Sequence, residues 1–280
     1  MNTREVPLLA SISWVKNAVH LMLRRPFAVF GGAALLSIVS TIPSWFEYLL
    51  QFFIDPGNMQ QILLLLLGAA FALLVFLPLF GGYFRLMHRV AHDVESPSPL
   101  QVFEPYRIRR MAVRLVGYFV LVLIGYGLIL AVFRFVGLPQ DFLQRPSLQN
   151  LQILPLLFTA LMMSLVTALM GIGLGEVAVS NQIVRIAFGT AWRGFLRNFK
   201  TFFMGALLIP IIATVAMVMW SGLMYVVVWP ITKLPTSTTQ LAIGLISWLS
   251  ALPFIAFLFA LLYSVWQDVV AAEIKHDEYV

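Results

Sequence analysis

Long apolar runs almost free of charge alternate along this chain with short segments that hold nearly all its ionisable residues. The runs cover about residues 27–49, 61–84, 115–133, 152–175, 202–230 and 239–266. Each is long enough for the roughly 20 helical residues that cross about 30 Å of hydrocarbon. A soluble helical protein would carry narrower apolar stripes on shorter segments. Turn residues punctuate the runs in pairs: Asp55-Pro56-Gly57-Asn58, Gly137-Leu138-Pro139-Gln140-Asp141 and Lys233-Leu234-Pro235-Thr236-Ser237. The pattern predicts an all-α, polytopic membrane protein forming one integral domain over 1–280, with six transmembrane helices arranged as three hairpins.

Composition sharpens this picture. Only 11% of residues are charged and 61% are hydrophobic, against about a quarter charged in a soluble domain. There is no cysteine, so disulfides and thiolate metal sites are excluded. The first 26 residues scatter Arg4, Glu5, Lys16, Arg24 and Arg25 among apolar positions. They lack the layout of a cleaved leader, so the first run reads as an uncleaved anchor.

Charge also sets an expected orientation, because Lys and Arg favour the cytoplasmic side of short loops. With both termini inside, the inner segments hold fifteen of these residues; Arg134, Arg145 and Lys233 are the three outside. Trp45, Tyr48, Trp229 and Trp266 close spans as interfacial aromatics do. The formal charge of +6 therefore points to anionic lipid headgroups as partners, and nucleic acid is not expected.

The chain resembles itself at an offset of 173: Asn17–Thr41 over Thr190–Thr214 gives nine identities in 25 positions. The shared pairs include Arg24 with Arg197 and Gly32 with Gly205, and Arg109 to Gly117 repeats the same spacing of eight. Leu77-Pro78 and Leu252-Pro253 are each followed, fifteen residues after the proline, by Asp93-Val94 and Asp268-Val269. Hairpins 1–2 and 5–6 thus read as copies, hairpin 3–4 as a diverged third, in a parallel repeat about the membrane normal.

Spans 1 and 5 have amphipathic basic lead-ins, about 8–24 and 180–198. In the first, Leu8, Ile12, Val15, Val19 and Met22 lie opposite Ser13, Lys16, His20 and Arg24. In the second, Val184, Phe188, Ala191 and Phe195 lie opposite Gln182, Arg185, Gly189, Arg193 and Arg197. Helices of this kind can lie in the headgroup layer with Arg24, Arg25, Arg193 and Arg197 among phosphates. They can equally be packed extensions of the spans.

The middle of every run lacks Asp, Glu, Lys, Arg and His; Glu47, Arg114, Arg134 and Glu176 sit at or near run ends. Proton relays and voltage sensors need such groups deeper, which disfavours those classes. Gly171 and Gly175, four apart on a helix, offer a flat face for helix packing; with no preceding strand the glycines are not a nucleotide fingerprint. His88, His92 and Asp93 have metal-ligand spacing, but Arg85 and Arg89 beside them repel a cation, and the matching stretch has Tyr263 and Gln267. No metal and no cofactor are expected. Asp93 and Asp268 read instead as capping or interhelical partners. Arg107, Arg109, Arg110 and Arg114 form the densest basic cluster, a candidate lipid or phosphate site that also serves topology. Pro78, Pro155, Pro210 and Pro253 each remove a backbone donor inside a run.

Several stretches together resemble an uncharacterised family of six-span proteobacterial inner-membrane proteins. They are Arg4-Glu5-Val6-Pro7, the amphipathic approach to Arg24-Arg25-Pro26, Leu77-Pro78-Leu79-Phe80-Gly81-Gly82-Tyr83, and Pro99-Leu100 with Phe103 and Arg107. More distantly, the three-hairpin layout is similar to the membrane domain fused to some glycerophosphoryl diester phosphodiesterases. The resemblance implies a bacterial inner membrane and an involvement with lipids or the envelope, and transfers no catalytic residue. The favoured expectation is a non-enzymatic protein that binds lipid, or a membrane-protein partner or second copy, through its basic face. Two alternatives stand beside it. One is a channel or transporter for a small uncharged or zwitterionic solute, with a path past Ser37, Thr41, Tyr126, Thr167 and Thr214. The other is a membrane-embedded enzyme, although no catalytic constellation is visible.

Overall fold

The computed structural model describes residues 3–51, 58–93, 97–135, 153–229 and 236–270. The turns at 55–57, 137–141 and 233–235 lie outside the described residues, as do Arg145 and Lys275, and the side chains of Glu47, Tyr48, Arg134 and Pro155. All described secondary structure is helical. The helices are α1 (Ala10–Arg24), α2 (Pro26–Ser40), α3 (Ile42–Gln51), α4 (Asn58–Phe71), α5 (Leu77–His92), α6 (Glu104–Arg107), α7 (Arg109–Phe135), α8 (Ile153–Ala168), α9 (Leu174–Ala178), α10 (Val184–Arg197), α11 (Phe199–Val228) and α12 (Thr236–Val269).

Six helical stretches are long and apolar enough to cross a membrane: Pro26–Phe46, Met59–His92, Arg109–Ile129, Leu157–Ala178, Phe199–Val228 and Thr238–Val269. Spans 2 and 6 outrun their apolar sequences, because the helices continue through Arg85, Arg89 and Asp268 instead of stopping where charge begins. At that basic end spans 2, 4 and 6 touch one another, while span 1 lies between 6 and 2 and span 3 between 2 and 4. Span 5 lies along α8 of span 4 and meets span 6 only slightly.

Burial concentrates at the basic end. Trp14, Tyr83, Phe84, Tyr118, Phe202, Tyr263 and Trp266 are all essentially inaccessible there. The opposite halves of the spans present Leu65, Leu66, Leu128, Val218, Met219 and Leu245 outward, as surfaces solvated by lipid tails do.

Spans 2 and 4 each contain one π-helical turn, at Ala72–Phe76 and Leu169–Gly173. The first has a local cause: Pro78 has no N–H to give the carbonyl of Leu74, four residues earlier. A carbonyl freed at bilayer depth needs another donor. The Tyr106 hydroxyl supplies it, donating to Leu74 at 3.4 Å and more closely to Val75. Burial pushes the Tyr106 phenol up to about 12, so it remains a donor at neutral pH. In span 4 the Tyr118 hydroxyl donates to the carbonyl of Leu169 at 2.6 Å. Each turn is thus sealed by a tyrosine from the segment before or within span 3.

Residues 3–9 run between the start of α11 and the end of α12. Asn198, 3% exposed, accepts from the Val6 N–H at 2.8 Å and donates to the carbonyls of Arg4 at 2.9 Å and Gly194 at 3.1 Å. The Arg4 N–H donates to the Val269 carbonyl at 3.1 Å, and its guanidinium pairs with Asp268. Asn198→Ala leaves one buried N–H and one buried carbonyl unpaired, at about 1–3 kcal/mol each before relaxation. The expected result is a loss of about 2–3 kcal/mol in detergent melts, with tryptic cleavage at Arg4 accelerated.

Candidate functional site

The loop between spans 2 and 3 organises the basic end. The Ser98 hydroxyl accepts from the Leu100 N–H at 3.4 Å, and Pro99 and Pro105 open the short helical turns that follow, where a missing N–H costs nothing. The turn Pro99–Phe103 lies directly on Gly82 of α5, with the Val102 carbonyl facing it. This seating brings Glu104 to Arg85 and Arg89, one turn apart on α5, and its Oε1 accepts from each at 3.0 Å. Arg85 also donates to the Ala178 carbonyl at 3.3 Å, tying span 2 to span 4.

The candidate cations fall into two groups. Arg24 donates to the Ala91 carbonyl and pairs with Asp93, and Arg25 stands 3.8 Å from the same carboxylate. Asp93 ends α5 in the left-handed region, φ 50°. Arg197 donates to the Thr3 carbonyl and lies 3.6 Å from Glu5. Arg193 donates to the Gly189 carbonyl of its own helix at 3.2 Å. Arg114 donates to the carbonyl and, at 2.8 Å, to the Oδ1 of Asn181. Arg107, Arg109 and Arg110, by contrast, are exposed and have no hydrogen-bonding or ionic partner among the described residues. Arg107, Arg89, Glu104 and Gln101 line a groove of about 490 Å³ whose rim carries the exposed apolar side chains of Leu100 and Ile108.

His88, His92 and Asp93 do not converge. His88 Nδ1 is 3.1 Å from the Tyr263 hydroxyl, His92 Nδ1 is 2.9 Å from the His88 carbonyl, and Asp93 is held by the arginines of the span 1 lead-in. Gly171 and Gly175 face span 6, where Val265 and Trp266 occupy the space a side chain would need. Glu176 is fully buried, its Oε1 accepting from Trp266 Nε1 and Ser180 Oγ, each at 3.1 Å. Of the five residues proposed for a solute path, Tyr126 lines an apolar cleft between spans 3 and 4. Thr41 and Thr214 are exposed and bond carbonyls of their own helices, so the structure does not gather the five.

The lead-in helices have two apolar faces. On α1, Ala10, Trp14, Ala18 and Leu21 are buried against protein, while Ile12, Val19 and Leu23, and Leu8 just before the helix, are exposed. The stripe expected from helical spacing is therefore mostly the outer face, with Val15 half-buried; Met22 is turned inward. On α10, Ala187, Ala191 and Phe195 are buried, while Ile186, Trp192 and Leu196, and Ile183 just before the helix, are exposed.

Sequence patterns do not single out Glu104, Asn198 or the Trp14 indole that donates to Asp268 at 2.9 Å. Each acts on a partner outside its own helical turn, and no local spacing marks it. No protein-family model matches the chain, and neither does any curated protein or solved structure. The fold itself defines a multi-pass α-helical integral membrane protein.

Proposed function

We propose that this protein binds anionic phospholipid headgroups in a bacterial inner membrane, with its basic end and both termini on the cytoplasmic side. One observation carries the reading: Arg107, Arg109 and Arg110 are exposed and unpartnered among the described residues, beside a groove with an apolar rim. The neighbouring cations that are tied to protein groups hold the bundle together; these three are left for a ligand. Arg114, committed to Asn181, is not part of the set.

The exposed outer faces of α1 and α10 support an end that lies in the headgroup layer. The fifteen-to-three distribution of Lys and Arg supports the orientation. Repeated hairpins and a link to lipids accord with the family resemblance. The role is binding, not catalysis.

Each cation near an anionic leaflet contributes about 1 kcal/mol, so Arg107, Arg109 and Arg110→Gln together should weaken retention about a hundredfold. The measurement is native mass spectrometry of protein purified with phosphatidylglycerol or cardiolipin, repeated in rising salt, which should erode wild-type binding. Equal retention by wild type and triple variant overturns the proposal.

A further inference from the structure

The cleft between spans 3 and 4 has a volume of about 290 Å³ and an almost wholly apolar lining. Val122, Gly125 and Ile129 form one wall, and Leu165 and Leu169 the other. Phe188 and Trp192 of α10 close its basic end. Leu123, Ile124 and Leu128 on one flank and Met163 on the other are exposed. The cleft therefore opens sideways, among side chains that face the hydrocarbon.

Two features bear on its occupant. Gly125 leaves part of it empty, with nothing within 4 Å of where a side chain would begin. A glycine inside a helix is disfavoured relative to alanine by about 1 kcal/mol, and here no protein atom requires it. What it preserves is the space. The second feature is the helix that closes the end. Arg185 and Trp192 are seven apart on α10 and so share a face, both are exposed, and Gly189 between them has nothing within 4 Å. A cation and an indole stand together where apolar lining gives way to the basic end, as at a membrane interface.

We propose that this cleft is a built-in slot for one acyl chain of an anionic bilayer phospholipid, with the phosphate held by Arg185. A hydrocarbon chain matches the apolar walls, and the phosphodiester matches the Arg185 cation at the closed end. The slot is separate from the groove at Arg107 and does not depend on it.

Gly125→Leu tests this, because its Cβ meets no atom within 4 Å and the longer side chain would occupy the cleft. The probe is phosphatidylglycerol, counted by native mass spectrometry after detergent has removed bulk lipid. Gly125→Leu should lower retention of one lipid roughly tenfold, the effect of losing contact with about two methylenes, with thermal stability unchanged or raised. Arg185→Gln should lower it as well. Arg107, Arg109 and Arg110→Gln should leave the Gly125-sensitive lipid in place. If Gly125→Leu retains as much lipid as wild type, the slot is wrong; loss in the Arg107 triple variant alone leaves the groove standing without it. Should Gly125→Leu fail to fold, Trp192 fluorescence decides. One phosphatidylglycerol per protein, brominated midway along its chain, should quench the emission that Trp192→Phe removes; unquenched emission overturns the proposal.

Discussion

Gly82→Ala is expected to destabilise the protein by at least about 3 kcal/mol, the upper range for forcing an extra group into packed structure. A Cβ built at Gly82 would lie 1.8 Å from the Val102 carbonyl oxygen and 2.6 Å from its carbon, with Pro105 Cδ at 2.9 Å. A side chain in that position could swing away, but a backbone oxygen cannot. The turn Pro99–Phe103 would have to lift from α5, carrying Glu104 away from Arg85 and Arg89. Helix propensity predicts the opposite sign, since alanine is favoured over glycine in a helix by about 1 kcal/mol. The control is Gly68→Ala on α4, where nothing lies within 4 Å; it should be neutral or slightly stabilising. Melting temperature and monodispersity of the two variants in detergent separate the outcomes. If Gly82→Ala melts with wild type, the loop does not sit on α5.

That contrast also shows which parts of the molecule were legible in the sequence. The six spans were, because charge is costly in hydrocarbon and a charge-free apolar stretch of some 20 residues is what crossing it requires. Span ends were less so. A helix does not stop where hydrophobicity does, so α5 carries Arg85 and Arg89 beyond the apolar run. The spacing of eight between arginine and glycine, which occurs three times, falls at or next to three close packings of one span's lead-in segment on a different odd-numbered span. Gly205 faces Ser11 and Gly117 faces Val184; in span 1 the contact falls one residue earlier, between Gly31 and Pro99. The glycines mark where segments approach, but not which segments.

Polar pairing was the least legible level. Asp93 and Asp268 occupy matching places, yet Asp93 is held by Arg24 within the first hairpin unit, whereas Asp268 is taken by Arg4 and Trp14. The expected analogue, Arg197, is instead engaged by Thr3 and Glu5. Residues 3–9 enter one unit and redirect its charges, and the spacing of the two aspartates carries no trace of that. The basic cluster divides in the same way. Its four arginines are equivalent in composition, and only the position of Asn181, left-handed at φ 53°, removes Arg114 from the free set. Sequence located the charge; three-dimensional pairing decided how much of it is free.

Glu104→Ala should also be strongly damaging, because a single carboxylate oxygen serves two guanidiniums. Arg85, Arg89 and Glu104 have side-chain exposures of 22%, 29% and 17%, so water reaches the cluster only in part. Breaking a fully buried pair costs about 3–5 kcal/mol, and partial exposure lowers the expectation to about 2–3 kcal/mol. Arg85 would keep the Ala178 carbonyl, whereas Arg89 has no other described partner. With the anion gone, two cations one turn apart on α5 also repel each other. Raised salt should therefore recover part of the loss in Glu104→Ala. Glu104→Gln keeps an acceptor at Oε1 without the charge and should lose about half as much. Asp93→Ala is the comparison, since its pair with Arg24 is about half exposed and should matter by no more than about 1 kcal/mol. The ordering wild type, Asp93→Ala, Glu104→Gln, Glu104→Ala in thermal melts is the expected result. Were Asp93→Ala the more damaging, the weight carried by the loop on α5 would belong to the lead-in of span 1.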